Sequence, residues 1–266
     1  EWRARMTYVD RSTNELIWAD TRRESTYDLQ NNSTPYDNSG MSWSNIAPTL
    51  ETVKRFYTEN GLPIDVDPSY YPESDWMQTD LYESERTAKL HLKREPRFYA
   101  WISFHNGWYE MQKDDAKRIR TAYRKDDTYG IGSRDRDYSM TGYLMKKSVS
   151  PSYNSMAGLT QFPFPIVRLS ELYLVIAEAA AESGDLGTAK TYLNKVRTKS
   201  GIPTVEESWQ KVPGVTQPGK TGGDHTSGAL HRALHGRQLP VGRQALEGGR
   251  AICQDAHWTE HQGLDR

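Results

Sequence analysis

Two apolar stripes at helical spacing, separated by a glycine and an aspartate, constrain this chain more than any other feature. Leu169, Leu172, Tyr173, Ile176, Ala177 and Ala180 recur with a period of 3.6 residues, and Ala189, Tyr192, Leu193 and Val196 repeat the pattern. Between them, Gly184 supplies a helix stop and Asp185 a side chain that can cap the next helix. Gly201-Ile202-Pro203 ends the second stripe. The spacing predicts an antiparallel helix hairpin with a very short link, resembling one tetratricopeptide-type unit. Its small alanine positions would allow close approach of the two helices.

The preceding part of the chain is less regular. Residues 1–47 are polar and turn-rich, and Asn32-Ser33-Thr34 fits a glycosylation acceptor only in a eukaryotic secretory setting. A helix is predicted from Thr49, its cap, to Asn60-Gly61, its stop, with Leu50, Val53, Phe56 and Tyr57 on one face. Residues 61–80 read as a loop, in which Asp65 and Asp67 are turn carboxylates; two acids supply too few oxygens for calcium. Residues 81–94 read as a charged helix. Residues 98–104 (Phe-Tyr-Ala-Trp-Ile-Ser-Phe) have strand character and are followed by an Asn106-Gly107 turn. Residues 112–160 read as mainly irregular.

Charge and composition exclude several function classes. Lys plus Arg number 34 and Asp plus Glu 35, for a net charge of −1, which argues against nucleic-acid binding through bulk charge. No apolar run approaches the roughly 20 residues of a membrane span. A single Cys leaves no disulfide framework and no Cys-rich zinc site, and no cofactor is expected. Sixteen Tyr and 8 Trp stand against 5 Phe, a surplus that suits contact surfaces, because these rings join an apolar face to a polar handle.

Several blocks resemble the SusD/RagB proteins, nutrient-binding lipoproteins of the Bacteroidetes outer membrane. The blocks are Arg168-Leu169-Ser170-Glu171-Leu172-Tyr173-Leu174, Ala177-Glu178-Ala179, Gly184-Asp185, Ala189, Leu193-Asn194-Lys195-Val196-Arg197 and Gly201-Ile202-Pro203. Pro48-Thr49-Leu50-Glu51-Thr52-Val53, Arg97-Phe98-Tyr99-Ala100 and Thr141-Gly142-Tyr143 with Lys146 and Lys147 fit as well, so the resemblance covers about residues 48–213. It implies a mainly α fold, with tetratricopeptide-like helix hairpins, an irregular loop-rich region and little β. It implies capture of a glycan or other nutrient without catalysis, and a SusC-like TonB-dependent outer-membrane transporter as partner. The membrane would be reached only through a lipid anchor on an N-terminal Cys of the intact protein, within an N-terminal half that this sequence lacks. On this reading residues 1–213 are a partial SusD/RagB-like domain.

Residues 214–266 differ in kind. All 16 Tyr lie at or before Tyr192, no Lys follows Lys220, and five of the seven His fall in the last 42 residues. The expectation is a disordered, off-frame tail. Read one base later, residues 225–261 have synonymous codons that permit an E-L-containing helix motif, then W-D and R-R-W, then G-L-N, the order that the family resemblance implies. Sequencing the coding DNA across residues 205–266 tests this: a one-base slip near residues 220–224 is expected, and an intact frame excludes it. The reading also disarms Gly214-Val215-Thr216-Gln217-Pro218-Gly219-Lys220-Thr221. It matches a phosphate-binding loop by letter but lacks the buried strand before it and the helix after it. The pairs His231/His235 and His257/His261, the second joined by Cys253, lack a stable helix to present them to a metal.

Sugars present apolar C–H faces and dense hydroxyls, which aromatic rings and polar side chains respectively satisfy. The candidate contacts are the loop aromatics Trp43, Tyr70, Tyr71, Trp76, Trp108 and Tyr109, with Asn45, Asp75 and Asn106 as polar neighbours. Two other function classes compete. A helical-repeat module would bind protein through an extended apolar patch. A carbohydrate-cleaving enzyme would need two carboxylates about 5–10 Å apart; Asp65, Asp67, Asp75, Glu83 and Glu85 supply acids but no signature.

Overall fold

The computed structural model describes residues 15–22, 24–37, 42–112, 114–147, 149–154 and 161–213. The expectations for residues 214–266 lie outside them. Strand β1 (Leu16–Asp20) comes first, followed by helix α1 (Glu24–Ser33) and the short helix α2 (Leu50–Lys54). Thr49 caps α2 as predicted, its hydroxyl accepting from the Thr52 amide at 3.3 Å. The helix stops well before Asn60-Gly61, however. Another turn would need the Tyr57 amide to donate to the Val53 carbonyl. Instead the Tyr57 amide donates to Glu95 Oε1 at 3.0 Å, and the Val53 carbonyl accepts from Arg94 at 2.7 Å. Val53, Phe56 and Tyr57 are buried as predicted, while Leu50 is exposed.

Residues 61–80 form the expected loop. The buried carboxylate of Asp67 organises it, accepting from Thr58 Oγ1 at 2.6 Å, Asn60 Nδ2 at 2.9 Å, and the Ser69 amide and hydroxyl at 2.9 and 2.7 Å. Burial alone would push this carboxyl up, but the hydrogen bonds outweigh it and hold the group below its ordinary value.

The next two expectations fail. Residues 81–94 are not a helix: β2 (Thr79–Tyr82) and β3 (Glu85–Ala88) form a hairpin, followed by a 3-10 turn at Lys89–His91. The hairpin turns on Glu83 and Ser84, with φ of 46° and 73°, left-handed geometry that matches strand twist but that no glycine advertises. The segment 98–104 is not a strand either. Its aromatics sit largely on helix α3 (Pro96–Trp101), and only β4 (Ile102–Ser103) is extended. Pro96 stands at the start of α3, where its fixed φ suits a helix and its missing N–H costs nothing.

After the turn at Asn106, strands β5 (Trp108–Met111) and β6 (Asp114–Arg120) pair, with Trp108 opposite Arg120. Strand β7 (Leu144–Met145) pairs with β4, and β8 (Phe164–Arg168) pairs with β1. The described strands therefore form four antiparallel pairs, more β structure than expected, within a region of long loops. No described helix is long and apolar enough to cross a membrane.

Strand β8 runs straight into the helix pair, α4 (Leu169–Glu182) and α5 (Leu186–Lys199), and α6 (Val205–Trp209) follows. Gly184 takes φ of 84° in the link, and Asp185 caps α5 by accepting from the Thr188 amide at 3.0 Å. Ala177, Ala180, Ala189 and Leu193 face one another with Leu62, Val205 and Trp209. Leu172, Val175 and Ile176 lie on the exposed face of α4. Arg197 joins this helical layer to the loop region. Its buried guanidinium donates to the carbonyls of Pro203 and Gly61, both at 2.8 Å, and to Ser208 Oγ at 2.6 Å. Gly61 has φ of 70°, and a Cβ there would lie 2.5 Å from Arg197 Nη2, so this joint requires glycine. A second core, of Val53, Phe56, Ile64, Tyr70, Trp76, Leu90, Phe98, Ile102, Phe104 and Tyr143, fills the loop region.

Candidate functional site

The nine candidate contact residues separate by burial. Tyr70, Trp76 and Tyr109 are buried in the core. The Tyr70 hydroxyl donates to the Leu90 carbonyl at 2.9 Å, Trp76 Nε1 to the Tyr71 carbonyl at 2.8 Å, and the Tyr109 hydroxyl to the Ser33 carbonyl at 3.2 Å. Rings packed on both faces and tied at their polar ends support the fold and cannot stack on a sugar; this corrects the expectation for these three.

The other six form three surface groups. Trp43 and Asn45 flank the end of α1. The Trp43 amide donates to the Asn31 carbonyl at 2.9 Å, and Asn45 Nδ2 donates to Asn32 Oδ1 at 3.0 Å. Tyr71 and Asp75 form a second group with two lysines. The ammonium groups of Lys93 and Lys89 lie 4.9 and 5.4 Å from the Tyr71 ring centroid, and Lys89 also donates to Gln78 Oε1 at 2.9 Å. Asp75 accepts from Gln78 Nε2 at 2.8 Å and lies 3.8 Å from Lys89.

Asn106 and Trp108 form the third group, against the β2–β3 turn. Asn106 takes φ of 60°, and its Nδ2 donates to the Arg86 carbonyl at 2.8 Å. Trp108 Nε1 donates to the Glu83 carboxylate. Arg120 Nη1 donates to the Asn106 carbonyl at 2.8 Å, and the Arg120 guanidinium pairs with Glu83 at 3.6 Å. Beneath them the buried Lys146 donates to the Trp108 carbonyl and to Glu110 Oε2, both at 2.9 Å. Sequence reasoning found Asn106 and Trp108, named Glu83 only as an acid of the competing enzyme class, and missed Arg118 and Arg120. The period-2 placement of Arg118 and Arg120 on one strand face was the available signal.

The block around Tyr143 works inside the protein. The Tyr143 hydroxyl lies 2.9 Å from His91 Nε2, and Thr87 Oγ1 lies 2.7 Å from His91 Nδ1 while donating to the His105 carbonyl. Thr87 has one hydroxyl proton, so His91 Nδ1–H must be the donor to Thr87, and Nε2 accepts from Tyr143. Burial, with the nearby Arg94, pushes the His91 pKa down to about 3, so the imidazole is neutral. Lys147, also buried, sits 4.5 Å from the Trp101 ring, and burial pushes its amine well below the usual lysine range. No cluster of three or more His, Cys, Asp or Glu placed to hold a metal occurs among the described residues.

Comparison with known proteins places this arrangement. The family model described as "SusD family" matches residues 14–231. The chain belongs to the SusD family. Among solved structures, BT4246 shares 29% identity, covering 89% of this chain and 40% of that one, with a TM-score of 0.69. Its selenomethionine form gives 29% identity, 85% and 39% coverage, and a TM-score of 0.64. A SusD-like protein (BF3747) from Bacteroides fragilis NCTC 9343 shares 23% identity over 88% of this chain and 42% of its own, with a TM-score of 0.61, and so shares the fold. No curated protein matches the chain. The chain spans about two fifths of the length of the solved structures that it matches. The SusD match begins well before residue 48, where the resemblance was first legible, and takes in β1 and α1.

Proposed function

We propose that this chain captures glycans or related nutrients at the outer-membrane surface, without chemical change, and presents them to a SusC-like TonB-dependent transporter. The observation that carries this reading is the SusD family match over residues 14–231. In it the intact protein is a lipoprotein, the α4–α5 hairpin is one tetratricopeptide-like unit, and residues 214–266 are the off-frame tail. The candidate sugar contacts are Trp43, Asn45, Tyr71, Asp75, Asn106 and Trp108, which remain at or near the surface. Contact with a protein is favoured by a different feature. Ile17 and Trp18 on β1, and Leu172, Val175 and Ile176 on α4, are exposed apolar side chains that suit a protein neighbour.

A glycan array followed by calorimetry on the full chain tests the capture reading. At least one oligosaccharide should bind and be recovered intact. Trp43→Ala, Tyr71→Ala and Trp108→Ala, made singly, should identify the contacting group by a loss of roughly tenfold, the equivalent of about 1.4 kcal/mol for one aromatic contact. Cleavage of the bound sugar would move the protein to the enzyme class, and a chain that bound no glycan at millimolar concentration would defeat the reading.

A further inference from the structure

Trp108 carries two cations on its ring. The guanidinium carbons of Arg118 and Arg120 lie 3.9 and 4.1 Å from the ring centroid. The two arginines are otherwise unlike. Arg120 is committed to the fold: beyond its bond to the Asn106 carbonyl, it donates to the carbonyls of Tyr82 and Glu83 at 3.4 and 3.3 Å and pairs with the Glu83 carboxylate. Arg118 is exposed, and among the described residues its guanidinium makes no hydrogen bond or ion pair. Contact this close lays the guanidinium on the indole, which orders the plane while leaving its N–H fork unspent.

The support beneath is stiff. Glu83, Ser84 and Asn106, three non-glycine residues in the left-handed region, lie around Trp108. Each such conformation costs on the order of 1 kcal/mol and persists only where its surroundings fix it. Here the bonds from Trp108 to Glu83, from Asn106 to the Arg86 carbonyl and from Arg120 to three carbonyls do so. The neighbouring carboxylate, Glu83, is already engaged by Arg120 and Trp108. A neutral sugar seeks a bare apolar ring. Trp108 offers a guanidinium lying on that ring, whose natural complement is a planar or tetrahedral anion.

We infer that Arg118, held on Trp108, receives a carboxylate or sulfate group of the captured glycan, so that this site selects acidic glycans. The inference rests on the capture reading and names its ligand class. Calorimetry on the full chain with two matched pairs tests it: oligogalacturonate against its methyl ester, and dextran sulfate against dextran. The acidic member of at least one pair should bind about tenfold more tightly, by an amount that falls as salt rises. The pair that responds distinguishes carboxylate from sulfate. Arg118→Ala should remove the preference for the acidic member while leaving the melting temperature unchanged. Arg118→Lys should restore only part of it, since an ammonium lacks the planar fork. Equal binding within both pairs, or a preference that survives in Arg118→Ala, overturns the inference and leaves glycan capture standing. Failure of these four and of every arrayed glycan overturns both.

Discussion

Arg94→Met should lower the melting temperature by roughly 10–20 °C. The Arg94 guanidinium is buried and donates to four main-chain carbonyls: Leu90 at 2.8 Å, Val53 and Phe56 at 2.7 Å, and Tyr57 at 3.3 Å. These carbonyls lie on either side of the contact between α2 and the 3-10 turn at Lys89–His91, so one side chain closes the main-chain hydrogen bonding of both. Methionine keeps most of the apolar stem that packs near Phe98, but it strands the Phe56 carbonyl and removes a charged donor from the other three, which keep their bonds from the Tyr70 hydroxyl and the Glu95 and Phe56 amides. One stranded buried carbonyl costs about 1–3 kcal/mol, and with the charge-assisted bonds lost at the other three the total is about 5 kcal/mol. That is comparable to the entire stability of many domains. For a chain of this size each kcal/mol corresponds to about 2–4 °C. Arg94→Lys should fall between the two, because an ammonium has three donors and no fan. Thermal melts followed by circular dichroism decide the matter; a Met variant that melts within 3 °C of the parent shows that the carbonyls find other partners.

Acid should destabilise the protein well above the range where carboxylates titrate. His91 has its folded pKa pushed down to about 3 by burial, then by Arg94 and His105. In the unfolded chain the imidazole takes up a proton near 6.5. Between about 6.5 and 3 the unfolded state therefore holds a proton that the folded state refuses. Stability rises with pH across that window and is flat, for this group, above it. At about 1.4 kcal/mol per unit, a drop from pH 7 to 4.5 removes on the order of 3 kcal/mol. His105 acts in the same direction, its pKa pushed down by partial burial and by Arg124, against the opposing pull of Asp127 and Glu85. Asp67 acts later: its carboxyl is held below the ordinary value, so its contribution is lost only below about pH 4. Urea melts at pH 7.0 and 4.5 should show the loss in the parent and a markedly smaller one in His91→Gln, which cannot titrate but can still accept from Tyr143. Equal pH dependence in the two proteins would sink the assignment of this window to His91.

The helix pair was legible because period, stop and cap agree: Gly184 and Asp185 lie where both stripes require a break. The hairpin at residues 79–88 was not. Its strands are exposed on most positions, so no alternation marks them, and Glu83 and Ser84 adopt left-handed geometry without a glycine or asparagine to announce it. In α3 the aromatic run outweighed the better signal, Pro96 at the helix start. The candidate site was half legible for a related reason. A tyrosine or tryptophan names a contact but not a side of the surface. Tyr70 and Tyr71 are adjacent, yet the first ring is buried in the core and the second lies partly exposed beneath two lysines. Which neighbour turns inward is settled by residues 89–94, far along the chain, and no local pattern reports that.

The joint at Arg197 also limits how SusD-type chains can exchange parts. Leu62 completes the core of the helix pair, and Gly61 leaves room for the Arg197 guanidinium. A chimaera with its crossover between residues 66 and 169 would take its glycine and leucine from one parent and its arginine from the other. Such a recombinant survives only where both parents carry the same joint, so these two distant segments are inherited as a pair.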